Sequence, residues 1–102
     1  MSILEVAQGM QHQTTNEEIV YTITTTNWAS TPLTPTVAVY NETLNNVDVT
    51  SSVGTPTATS AADLITLTAL KTLTKGHTYR VEVKFVVGSN TWETYFRVYC
   101  EV

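Results

Sequence analysis

The side chains able to do chemistry are few and scattered. His12 and His77 are the only histidines and Cys100 is the only cysteine. Catalysis needs such groups to converge, and no His-x-x-x-His pair or glycine-rich phosphate loop after a strand brings any together. His12 falls in a polar stretch expected to be loop. Cys100 falls on the expected inner face of a strand, where a small buried thiol explains it better than a nucleophile does. Asn41, Glu42, Asn45, Asn46 and Asp48 could gather oxygens around calcium, although solvated turn residues account for the same composition. Glu17-Glu18 reads as the polar start of a strand. The expectation is therefore no catalytic residue, no metal, no cofactor and no enzyme.

Recognition chemistry is concentrated near the C-terminus. Tyr95, Arg97 and Tyr99 alternate along one segment, Arg80 lies in the segment before it, and Trp92 lies close to the turn between them. Aromatic and arginine side chains are enriched at protein interfaces. The same residues would also suit an ordinary amphipathic outer sheet in which tyrosine supplies β propensity. Trp28, in a proline-containing stretch, would either anchor a ligand or cap the core.

Two long strands, Thr78 to Val87 and Thr91 to Val102, must position these residues around Gly88-Ser89-Asn90. A two-residue turn at Ser89-Asn90 predicts Val83 opposite Phe96, Val81 opposite Val98 and Tyr79 opposite Cys100 on one face. On the other face it predicts Glu82 opposite Arg97, Lys84 opposite Tyr95 and Arg80 opposite Tyr99. Earlier strands are expected at Ser2 to Ala7, Glu18 to Thr26, Thr36 to Tyr40, Val47 to Val49 and Leu64 to Thr68, making about seven. Gly9 to Asn16 and Asn27 to Pro35 read as connections, and Ser51 to Asp63 as a long loop or weak edge. Alternation points Tyr21, Ile23, Val37, Val39, Ile65, Leu67, Tyr79, Val81, Val83, Phe96 and Val98 inward.

Composition agrees with this patterning. The chain has 102 residues, a single-domain length spanning 1–102, with 42% hydrophobic and 14% charged residues. Threonine makes up about a fifth of it and favours strands without adding charge. Five Lys and Arg residues against a net charge of −4 argue against nucleic-acid binding and against anionic membrane surfaces. Met1 to Val6 lacks the basic start and apolar run of a signal peptide, and a single cysteine allows no internal disulfide. Both features predict synthesis in the cytoplasm.

The stretch Leu70-x-x-Leu73-x-x-Gly76-x-x-Tyr79-x-Val81-x-Val83 has the spacing of a tyrosine corner, in which a tyrosine hydroxyl ties back to the chain just upstream. Residues 64 to 102 resemble the corresponding region of fibronectin type III and immunoglobulin-like domains. The fibronectin pattern carries a Trp within its second strand, whereas Trp28 follows the apparent end of that strand here. The resemblance implies an all-β, two-sheet antiparallel sandwich. More loosely, the short, threonine-rich chain is similar to small structural proteins of tailed bacteriophages and prophages. That similarity implies a non-enzymatic virion component acting through a protein partner or self-association. The alternative is a carbohydrate- or ligand-binding module using Trp28, Trp92 and exposed tyrosines.

Overall fold

The computed structural model describes residues 3–5, 11–15, 17–24 and 32–101. They form nine strands, most of them built on β-branched and aromatic residues, and no α-helix occurs among the described residues. In chain order these are β1 (Ile3–Glu5), β2 (Gln11–Gln13), β3 (Thr22–Thr24), β4 (Leu33–Asn41), β5 (Val47–Asp48), β6 (Ala58–Ala61), β7 (Leu64–Leu67), β8 (Thr78–Val87) and β9 (Asn90–Cys100). The larger sheet runs β1-β9-β8-β4-β5, with β2 also on β9, and the smaller runs β3-β7-β6. The fold is an all-β, two-sheet sandwich.

Strand alternation sets the layers. Val39 of β4, Tyr79, Val81, Val83 and Phe85 of β8, and Phe96, Val98 and Cys100 of β9 are buried between the sheets. They meet Ile23, Ile65 and Leu67 of the smaller sheet in one cluster. Every residue that alternation points inward belongs to this cluster or packs against it. Leu70 and Leu73 are buried beside Tyr79 in the same cluster. The Tyr79 hydroxyl accepts a hydrogen bond from the Thr74 N–H at 2.8 Å, and Gly76 at φ 82° turns the chain between them.

The hairpin register differs from the expected one by two residues. Gly88 adopts φ 61°, so Gly88-Ser89 forms the two-residue turn and Val87 pairs with Asn90. Val83 now faces Thr94, Val81 faces Phe96 and Tyr79 faces Val98. On the opposite face Glu82 meets Tyr95, Lys84 meets Glu93 and Arg80 meets Arg97. A slip of two preserves side-chain parity, so every residue keeps its face and only its partner changes.

The N-terminal half departs further from expectation. The segment Gly9 to Asn16, expected as loop, contains β2. Both β1 and β2 run parallel to β9, so the larger sheet is not wholly antiparallel. Two short strands succeed one another along the same side of a long strand and shield its edge. Gln13 of β2 is fully buried. Its Nε2 donates to the Glu17 and Leu70 carbonyls at 2.9 and 2.6 Å, and its Oε1 accepts from the Tyr21 hydroxyl at 2.9 Å. Of the strand expected from Glu18 to Thr26, residues 25 and 26 lie outside the described residues, and the described part contains Thr22–Thr24 plus a single bridge from Ile19 to Leu70. Strand β4 starts at Leu33, inside the expected connection. Its register shifts between Leu33 and Thr36, where Thr34 sits at φ 47° and Pro35 has no N–H for the ladder. The segment from Ser51 to Asp63 resolves into part of a 3-10 helix, Thr50–Val53, and the edge strand β6.

Candidate functional site

The outer face of the larger sheet gathers most of the predicted recognition residues. Register sets them in rows across the strands. Asp48, Tyr40, Arg80 and Arg97 form one row, and Ala38, Glu82 and Tyr95 the next. Thr36, Lys84 and Glu93 form a third, and Thr78, Tyr99 and His12 a fourth.

Directly opposed arginines repel one another, and Glu42 resolves the conflict. It enters from the short 3-10 helix Glu42–Leu44, which follows β4. Buried Asn41 caps that helix: its Oδ1 accepts from the Thr43 and Leu44 N–H groups at 3.0 and 3.3 Å. The Asn41 Nδ2 donates to His77 Nδ1 at 2.9 Å, which puts the His77 ring proton on Nε2. Held there, the Glu42 carboxylate accepts from Arg80 Nη1 at 3.0 Å and from Arg97 Nε at 2.9 Å. Arg80 also donates to Glu82 through Nε at 2.8 Å and to Asn46 Oδ1 through Nη1 at 3.1 Å.

The guanidinium of Arg80 lies 5.2 Å from the centre of the Tyr40 ring, and that of Arg97 lies 5.3 Å from the Tyr95 ring. Burial pulls the Arg80 guanidinium down, but its bonds to Glu82 and Glu42 outweigh this and hold it above its ordinary range. Burial, followed by the charges of Glu82 and Asp48, pushes the Tyr40 phenol up. The Asp48 carboxylate accepts from the Thr50 N–H and hydroxyl at 3.0 and 2.8 Å, which lowers it below the usual aspartate range. The arginines thus present fixed guanidinium faces, and their charge is largely met within the sheet.

Not every predicted site residue joins this lattice. Tyr99 stands beyond it, edge-on to His12 with ring centres 6.1 Å apart, while His12 Nδ1 lies 2.9 Å from a Glu101 carboxylate oxygen. Trp92 has the opposite parity: it pairs with Phe85 and packs, partly buried, against the core. Trp28 lies outside the described residues. Cys100 is buried on the inner face as expected, and burial pushes its thiol up. The oxygen-bearing residues around 41–48 serve the chain itself, as a cap (Asn41), as arginine partners (Glu42, Asn46) and as a turn acceptor (Asp48).

Sequence reasoning missed Tyr40 and the bridging role of Glu42. The parity of Tyr40, opposite to Val37 and Val39, is a usable signal for the first. For Glu42 none exists, because its partners are brought to it by tertiary folding. A separate depression of about 370 Å³ beside β3 is lined by Gln11, Tyr21, Ile23 and Phe96 among others, without a charged side chain among the described residues. No protein-family model matches the chain, and it matches no curated protein and no solved structure.

Proposed function

We propose that this protein is a non-enzymatic structural or protein-interaction module that binds through the outer face of β8, β9 and β4. One observation carries the reading: Glu42 locks Arg80 and Arg97 over the Tyr40 and Tyr95 rings before any partner arrives. Ordering long side chains on binding costs about 0.5–1.5 kcal/mol each, and here that ordering is already done. Tyrosine and arginine are also the residue types that anchor interfaces. The strand order, with β3-β7-β6 against β9-β8-β4-β5, supports an immunoglobulin-like form of the sandwich. A narrower version, a component of a phage or prophage particle, rests on the resemblance in composition and length.

Paired substitution Tyr95→Ser and Tyr99→Ser tests the surface. Folding should be largely kept while self-association or partner capture is lost, as read by light scattering at matched concentration and by recovery from native particles. A wild-type chain that is strictly monomeric and recovers no partner would reduce these tyrosines to ordinary sheet residues.

A further inference from the structure

Glu93 is the anomalous side chain of the outer face. It points the same way as Tyr95 and Arg97, yet it is only 9% exposed, and among the described residues its carboxylate has no hydrogen-bond or ion-pair partner. Among the described residues no fully enclosed side-chain oxygen lacks a partner. The Glu93 oxygens therefore open onto the groove that Glu93 lines with Thr36, Ala38, Tyr40, Glu82 and Lys84. Lys84 lies directly across from Glu93, but its side chain is exposed and makes no ion pair with it. The other cations of this face are committed: Arg80 to Glu42, Glu82 and Asn46, and Arg97 to Glu42. The residue is otherwise enclosed, so a cation brought by a ligand into the groove supplies the partner this carboxylate lacks.

We propose that this groove receives the guanidinium of an arginine side chain presented by a protein partner, with Glu93 as the pairing carboxylate. The inference rests on the outer face being an interaction surface and specifies what that surface reads. Size favours a single side chain: the groove encloses about 140 Å³, well below the roughly 300–1,000 Å³ of small-molecule sites. Chemistry favours arginine over lysine. A guanidinium is planar, weakly hydrated and able to grip a carboxylate through two parallel bonds, and it stacks on rings such as Tyr40 at the groove wall. Glu82 adds a second negative charge at the rim.

The test is a titration of the ¹⁵N-labelled full chain with N-acetyl-arginine methylamide, run beside the neutral citrulline and the lysine counterparts. Saturable amide shifts are expected at Thr36, Lys84 and Glu93, with citrulline at least tenfold weaker and lysine several-fold weaker. Glu93→Gln should abolish the response. Ala38→Leu, which fills the groove and leaves Glu93 intact, should abolish it too, and denaturation midpoints show whether both variants fold. Lys84→Gln should strengthen binding several-fold by removing a like charge from the groove wall. The proposal is overturned by no saturable response to arginine, by an equal response to citrulline or lysine, or by a response that survives Glu93→Gln in a folded protein. Failure here with partner capture still lost in the Tyr95/Tyr99 double variant would remove the groove and keep the surface. An arginine response with capture unchanged in that variant would do the reverse.

Discussion

The β8–β9 hairpin and the N-terminal segment β1–β3 are held by different physics. The hairpin is two long strands at the centre of the larger sheet, with an unbroken ladder from Thr78↔Tyr99 to Val87↔Asn90. Its inner face is a continuous apolar wall in which Val81, Val83, Phe85, Val98 and Cys100 are essentially inaccessible. Strands β1, β2 and β3 have three residues each. In β2 the buried member is Gln13, a polar residue whose amide bonds to three other places in the chain. One region is secured by area removed from water, which is forgiving of detail. The other depends on a few directional bonds whose loss leaves groups unpaired. Packing spreads its cost over many contacts, whereas a hydrogen-bonded hub concentrates it in one side chain.

The largest expected effect is in the hairpin. Phe85→Ala removes a ring with 0% exposure and should destabilise by about 3–5 kcal/mol. Urea denaturation followed by fluorescence should show a single cooperative transition at a much lower midpoint. A loss confined to the hairpin, with the rest of the sandwich intact, would break the view that the two sheets share one core. Gln13→Ala comes next. It removes one bond each from the Glu17 carbonyl, the Tyr21 hydroxyl and the Leu70 carbonyl, which keeps its bond from the Ile19 N–H, at an expected cost of about 1–3 kcal/mol. Amide exchange should rise in β2 and around Ile19 before it rises in β8. Uniform loss of protection across both regions would erase the distinction drawn between them.

The unequal legibility of the two regions has the same origin. Parity along β8 and β9 follows from the two-residue repeat and survives an error in the turn, so the inward set was readable even though the register was not. Choosing between Ser89-Asn90 and Gly88-Ser89 required knowing which residue adopts positive φ, and alternation says nothing about that. Phe85, absent from the expected inward set, has the parity of Val81 and Val83. In β2 no repeat exists to be read: Gln-His-Gln carries neither apolar period nor turn signal, and the burial of Gln13 is decided by Leu70, 57 positions away. The candidate site divides in the same way. Arg80, Tyr95, Arg97 and Tyr99 fall on the outer face by parity. Trp92 failed by the same parity, and the Glu42 bridge depends on a helix placed over the sheet by the chain's return. Nothing in sequence spacing marks Glu93 as withdrawn from water.

A smaller effect is expected where the hairpin meets the loop that precedes it. Tyr79→Phe keeps the buried ring and removes only the bond from the Thr74 N–H, so about 1 kcal/mol should be lost. An unchanged denaturation midpoint would show that the ring's burial alone holds the loop from Leu73 to Gly76.

The last effect concerns Tyr21 and appears only in alkali. Burial, and then the nearby charge of Glu17, pushes its phenol from 10.0 up to about 12. The folded state therefore holds this proton more tightly than the unfolded chain does. Its contribution to stability is complete below pH 10 and falls as the pH rises towards 12. The structural reason is specific. Ionised, Tyr21 would set a negative oxygen against Gln13 Oε1. Turning the amide over to offer Nε2 instead would break its bonds to Glu17 and Leu70. Wild type and Tyr21→Phe should therefore differ in the alkaline limb of stability against pH: the phenylalanine variant starts lower, because it lacks the bond to Gln13, and loses less between pH 10 and 12. Ultraviolet titration should assign the late-ionising phenol to Tyr21 by its disappearance in the variant. Parallel alkaline limbs for the two proteins would remove Tyr21 from the N-terminal hub and leave Gln13 secured by its two carbonyl contacts alone.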